Sequence, residues 1–177
     1  QPRSSRIKSR HHDRCSLSLV MQHHIIEVTN AAFIPHVRNL IEEGRTVRFR
    51  AMGWSMRPMI EHARDEVLLG GYGDESPQRY DVVLAEVGKG HYVLHRIMHI
   101  DGDHYTLQGD GNACGVEHCT RTDIIAKAIA FYRKGKAEPL YTNSRTWRYY
   151  SRTWVALLPM RRILLALYRR WLRLFPA

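Results

Sequence analysis

The chain has 177 residues, 44% of them hydrophobic, and a formal net charge of +10. That is enough to bury the core of one domain, and nothing in the pattern asks for two. Residues 1–14 hold five basic side chains against one acidic, and residues 144–177 hold eight arginines and no acid, which leaves residues 15–143 at net −2 and speaks against nucleic acid as a partner of the central domain.

Residues 1–21 read as a disordered basic extension, because residues 1–14 are polar, basic and aperiodic. The apolar stretch over 16–21 is too short for a signal-peptide core or a membrane span, so no export signal is assigned to it. The folded domain is expected over 22–143. Residues 25–28 read as a short strand, and residues 35–43 as a helix with Pro35 near its first turn and Gly44 just past its end. Phe33, Val37, Leu40 and Ile41 fall at helical spacing and should pack on a sheet. Val47, Phe49 and Ala51 alternate with Arg48, Arg50 and Met52, the pattern of a half-buried strand that stops where Gly53 permits a sharp turn. Strands are predicted over 65–69, 81–86, 91–100, 105–108 and 124–132, separated by Gly- and Asp-rich turns. Successive short strands joined by such turns predict a mainly β fold, a coiled antiparallel or barrel-like sheet with a short N-terminal helix.

Three short motifs carry chemistry. Ser55 sits between bulky neighbours in Gly53-Trp54-Ser55-Met56-Arg57-Pro58, at the end of a strand, and reads as a nucleophile. A serine hydroxyl is inert at neutral pH without a base, and His95 in the strand over 91–100 is the candidate. Alternation puts His95 on the face of Val93 and Ile97 and turns Arg96 the other way, with Leu94 and Met98. Apolar flanks disfavour imidazolium and leave His95 able to take a proton. Asp110, in Gly109-Asp110-Gly111-Asn112, offers a carboxylate to orient His95. The Ser55 N–H is the expected oxyanion donor, and Gly53, Trp54, Met56, Arg96 and Asn112 are expected to shape or support the site. Cys114, Glu117, His118 and Cys119 cluster beside this motif, but the Cys-x4-Cys spacing has no matching second pair. Zinc is therefore not assigned, and free thiols are expected.

Residues 144–177 read as a basic amphipathic helical tail. From residue 161 onward, Arg161, Arg162, Arg169, Arg170 and Arg173 fall on one half of a helical wheel, and Ile163, Leu164, Leu167, Trp171, Leu174 and Phe175 on the other. Such a helix suits the interface of an anionic membrane or, alternatively, docking on its own domain; paired arginines exclude a span.

The motifs, in this order, resemble the serine peptidase superfamily that joins signal peptidases with LexA-type self-cleaving repressors, over roughly residues 47–134. Ser55-Met56-Arg57-Pro58 matches its nucleophile box, and His95-Arg96 followed by Gly-Asp-x-Asn is similar to the endoplasmic-reticulum and archaeal type of signal peptidase. The resemblance implies a Ser-His serine endopeptidase with Asp110 in support, no metal or organic cofactor, and a leader or signal peptide as substrate, met at a membrane by a peripheral enzyme. Two other readings stay open: a LexA-type regulator that cleaves itself, and a non-enzymatic membrane-binding adaptor that kept the fold.

Overall fold

The structure, a computed structural model, describes residues 17–21, 24–28 and 30–174. Ten strands and three α-helices run in the order β1 (Leu17–Met21), β2 (His24–Val28), α1 (Asn30–Glu42), β3 (Val47–Arg50), β4 (Glu66–Gly70), β5 (Val82–Gly88), β6 (His91–Asp101), β7 (His104–Gln108), β8 (Glu117–Thr120), β9 (Ile124–Tyr132), β10 (Leu140–Tyr141), α2 (Arg145–Ala156) and α3 (Arg161–Leu174). All pairings are antiparallel, in the order β2-β1-β3-β4-β9-β5-β6-β7-β8, with β10 added to β9. Register shifts in β4–β9, β5–β6, β5–β9 and β6–β7 mark bulges, which sharpen twist and curl a sheet. β8 accordingly comes back close to β5. The chain is mainly β, as the turn-separated strands predict.

Curling divides the apolar residues into two cores. One gathers α1, β3, β4, the far side of β5 and β9 around Phe49, Val67, Leu84 and Phe131. The other fills the curl of β5, β6, β7 and β8 with Val83, Val93, Ile97 and Leu107. β6 lies between them, which is why residues 93–97 are all buried although they alternate in direction. Val93 and Ile97 enter the second core with His95 between them, while Leu94 enters the first and Arg96 turns toward Trp147.

Several boundaries differ from the sequence expectation. The predicted disordered extension lies outside the described residues up to residue 16, but residues 17–21 form β1, paired with both β2 and β3; a five-residue strand gains its meaning from partners that periodicity does not reveal. α1 begins at Asn30 rather than 35 and carries Pro35 inside it. Burial of Phe33, Ile34, Val37 and Ile41 against the sheet offsets the hydrogen bond that Pro35 forgoes. β8 falls where the sequence offered only a cysteine cluster. The predicted tail is two helices rather than one, and neither is an appendage: α2 buries Trp147 in the main core, stacked 4.7 Å from Phe131, and α3 buries Arg161 and Leu165.

Candidate active site

Ser55 lies in a run of turns between β3 and β4 and is partly exposed. Gly53 enters that run at φ 110°, a left-handed value suited to glycine, and its N–H donates to His62 Nδ1 at 2.8 Å. The Arg57 N–H closes back on the Trp54 carbonyl at 3.2 Å, while the Met56 side chain is sunk in the main core. Trp54 is half exposed, with the His62 ring 4.4 Å away and the Arg57 guanidinium 3.9 Å over it. Each neighbour of Ser55 is thus held, and the serine between them stays partly exposed.

A second turn, residues 109–112, is pressed against the first. The Gly111 N–H donates to the Ser55 carbonyl at 2.7 Å. A Cβ on Gly109 would stand 2.4 Å from that carbonyl oxygen and 2.9 Å from His95 Nε2, and one on Gly111 would stand 2.4 Å from the Trp54 carbonyl. Glycine at both positions is what lets the Ser55 turn, the second turn and the His95 ring meet. The Ser55 hydroxyl and N–H make no hydrogen bond to the described residues, so the serine and histidine are neighbours without a closed bond between them.

His95 is buried, and its Nδ1 lies 2.9 Å from Glu117 Oε2. The register explains the meeting: Ile97 pairs Leu107, Leu107 pairs Glu117, and His95 is the next residue of β6 on that face. The bond to His95 holds the Glu117 carboxyl below the usual carboxylate range, against the opposing effect of burial. A carboxylate on Nδ1 fixes the proton there and turns Nε2 into an acceptor on the Ser55 side.

Asp110 does not orient His95. Its carboxylate is fully buried and takes both arms of Arg96, Nε at 2.8 Å and Nη2 at 2.7 Å. Arg96 Nη1 donates to the Tyr80 carbonyl and the Ser151 hydroxyl, and the Tyr150 hydroxyl and the Trp154 indole N–H donate to Asp110. Asp110 and Arg96 therefore lock β6, the second turn and α2 together. Alternation sent Arg96 away from His95, and Asp110 follows Arg96. No protein-family model matches the chain, and no curated protein matches it.

α3 reaches the same place from outside. Arg161 Nη1 donates to the Gly109 and Asn112 carbonyls at 3.3 and 3.4 Å, so Asn112 supports the second turn through its backbone. Seven residues on, the Tyr168 hydroxyl donates to Glu61 Oε1 at 2.8 Å, and burial together with this bond pushes its pKa up to about 12. Glu61 Oε2 accepts from Arg57 at 2.7 and 3.0 Å, which ties α3 to the Ser55 turn. Arg161, predicted on the solvated basic half of the helix, is instead buried, because the helix has three sectors rather than two: Arg161, Leu165 and Tyr168 dock, Arg162, Arg169, Arg170 and Arg173 face solvent, and Ile163, Leu167, Trp171 and Leu174 form an exposed apolar stripe.

Among the described residues no three His, Cys, Asp or Glu side chains converge as a metal would need. Cys114 and Cys119 are free thiols, and burial pushes the Cys119 thiol up to about 11. From the sequence Glu117 is noticed only in a possible metal cluster, and His62, Arg57, Tyr168 and the two close-packed glycines carry no role of their own. The alternation of Glu117 with His118 and Cys119 was the available signal, but it points to His95 only once β8 is known to lie two strands from β6.

Proposed function

We propose that the chain is a serine endopeptidase of the signal-peptidase and LexA-type kind, in which Ser55 attacks a peptide carbonyl, His95 is the base and Glu117 orients His95. The observation that carries the reading is the line Glu117, His95 Nδ1, His95 Nε2, Ser55 turn, held together by Gly109. As the Ser55 oxygen bonds to the carbonyl carbon, its proton passes to His95 Nε2, and the carbonyl oxygen takes the negative charge beside the Ser55 N–H. His95 then returns the proton to the leaving amine as the C–N bond breaks, giving an ester on Ser55. Water, deprotonated by His95, hydrolyses that ester. Hydroxyl and imidazole in such sites commonly close only on the bound substrate, in keeping with the open Ser55–His95 pair. Asp110 and Arg96 serve as the buried brace of the second turn.

The substrate class we propose is a leader or signal peptide met at a membrane by a peripheral enzyme. Support comes from α3, whose stripe of Ile163, Leu167, Trp171 and Leu174 is 52–67% exposed beside four arginines that make no ion pair with the described residues. An apolar stripe flanked by arginine suits an anionic bilayer interface and disfavours a second copy bearing the same charge. No helix of the described residues is long and apolar enough to cross a membrane. Incubation with a mixed peptide library, read by mass spectrometry, tests the activity. Cleavage products that vanish in Ser55→Ala support it; identical products from both proteins contradict it. Vesicle binding without any cleavage favours the adaptor.

A further inference from the structure

Beside the nucleophile turn opens a groove of about 530 Å³ with an unusual wall: Arg50, Arg57, Arg64 and Lys134 line it together with Trp54 and a single carboxylate, Glu61. Both oxygens of Glu61 are already engaged, one by Arg57 and the other by Tyr168. The acids behind the wall are committed too. Asp65 is fully buried and accepts from Arg64 twice and from the backbone N–H groups of Glu61 and Lys134. Glu66 is shared between Arg48 at 2.7 Å and Arg50 at 3.4 Å, which leaves Arg50 loosely paired and its buried Nε without a partner. The Lys134 ammonium makes no ion pair with the described residues. This positive wall sits in a stretch, residues 15–143, whose net charge is −2, so it is a local construction and not a share of a generally basic surface.

We infer that this groove is a specificity subsite that takes the carboxylate of an Asp or Glu side chain of the peptide substrate, close to the bond that is cut. The inference rests on the reading of Ser55 as a peptidase nucleophile. Trp54 and Arg57 belong both to the groove and to the turn that presents Ser55, so whatever fills the groove is tied to the chain that passes the serine. At about 3.3 Å per residue of extended peptide, the acidic residue falls within about three positions of the scissile bond. A carboxylate in the groove meets the Lys134 ammonium, with Arg50, Arg57 and Arg64 on the same wall, and accepts charge-assisted hydrogen bonds that an amide does not reproduce.

The test reads binding without turnover. The full chain carrying Ser55→Ala is titrated with a positional set of acetylated, amidated peptides in which one Asp or Glu is moved along the sequence, each beside its Asn or Gln isostere. The expected result is a preference of about tenfold or more for the acid at one or two positions, the size of a charge-assisted hydrogen bond, falling to near parity in Ser55→Ala/Lys134→Glu with thermal stability unchanged. Equal binding of acid and amide, or a preference that survives Lys134→Glu, overturns the subsite. Lys134-dependent binding of anionic but not neutral vesicles, without discrimination among peptides, also overturns it and assigns the groove to a lipid headgroup. Failure of wild-type Ser55 to react with a phosphonate would sink the peptidase reading while leaving an acid preference standing, so the two claims fail separately.

Discussion

Glu117 bonds the His95 ring and Asp110 bonds Arg96, the next residue of β6, and single substitutions separate the roles proposed for the two carboxylates. Glu117→Gln keeps the shape of β8 but loses the acid that fixes the His95 tautomer; the rate of peptide cleavage should fall by about two to four powers of ten. A rate within twofold of wild type would remove Glu117 from the mechanism. Asp110→Asn leaves Arg96 charged in a buried site, which costs about 3–5 kcal/mol when a buried pair loses one partner and lowers Tm by on the order of 10 °C in a chain of this length. Calorimetry showing an unchanged Tm would contradict that brace. The sign of the Glu117 effect with pH follows from its lowered pKa. The pair contributes stability that is fully present above the ordinary carboxylate pKa and is lost as pH falls through the lower, folded-state value. The Tm difference between wild type and Glu117→Gln should therefore persist down to the ordinary carboxylate range and shrink as pH falls below about 4. A gap that keeps its full size well below the ordinary carboxylate range, at about pH 2, would show that Glu117 is not held as a carboxylate by His95.

At the scale of elements, α3 does two things at once, and the choice of substitution decides which is probed. Removing residues 161–177 would take away Arg161 from the second turn and Tyr168 from Glu61, and so should damage the site as well as any membrane contact. Ile163→Gln, Leu167→Gln and Leu174→Gln act on the exposed stripe alone. With burial worth on the order of 1 kcal/mol for each partly inserted side chain, the triple variant should lose most flotation on anionic vesicles while cutting a soluble peptide at the wild-type rate. Undiminished flotation would show the stripe is not the contact. The wheel predicted an amphipathic helix here and was right about the four outward arginines. It misplaced Arg161 because a two-sided wheel has no sector for a docked face that contains a buried cation. The part α2 plays went unread for a related reason: Trp147, Tyr150, Ser151 and Trp154 share one face, but their value lies in clasping Arg96 and Asp110, which are far away in sequence.

Over the whole molecule, what the sequence made legible was local. Alternation in β3 and β6 gave the facing of Phe49, His95 and Arg96, and turn chemistry gave most strand ends. The partners of those residues were illegible, since they depend on a sheet order, β9 between β4 and β5 and β8 beyond β7, that no short pattern encodes. Hence Ser55 and His95 were named as candidates from motifs, while the Glu117 contact with His95 emerged only from register and Asp110 was given to the wrong neighbour. Charge shows the same division: the basic C-terminal segment was plain from composition, whereas the positive groove beside Ser55 arises from residues scattered over residues 50–134 and assembled by folding. The central claim is that Ser55 is a nucleophile activated by His95, and reaction with a fluorophosphonate followed by intact-mass and peptide mapping tests it most directly. The account predicts one adduct per chain, on Ser55, absent in Ser55→Ala and slowed by at least about a hundredfold in His95→Ala; no adduct, or equal labelling of all three proteins, would contradict it.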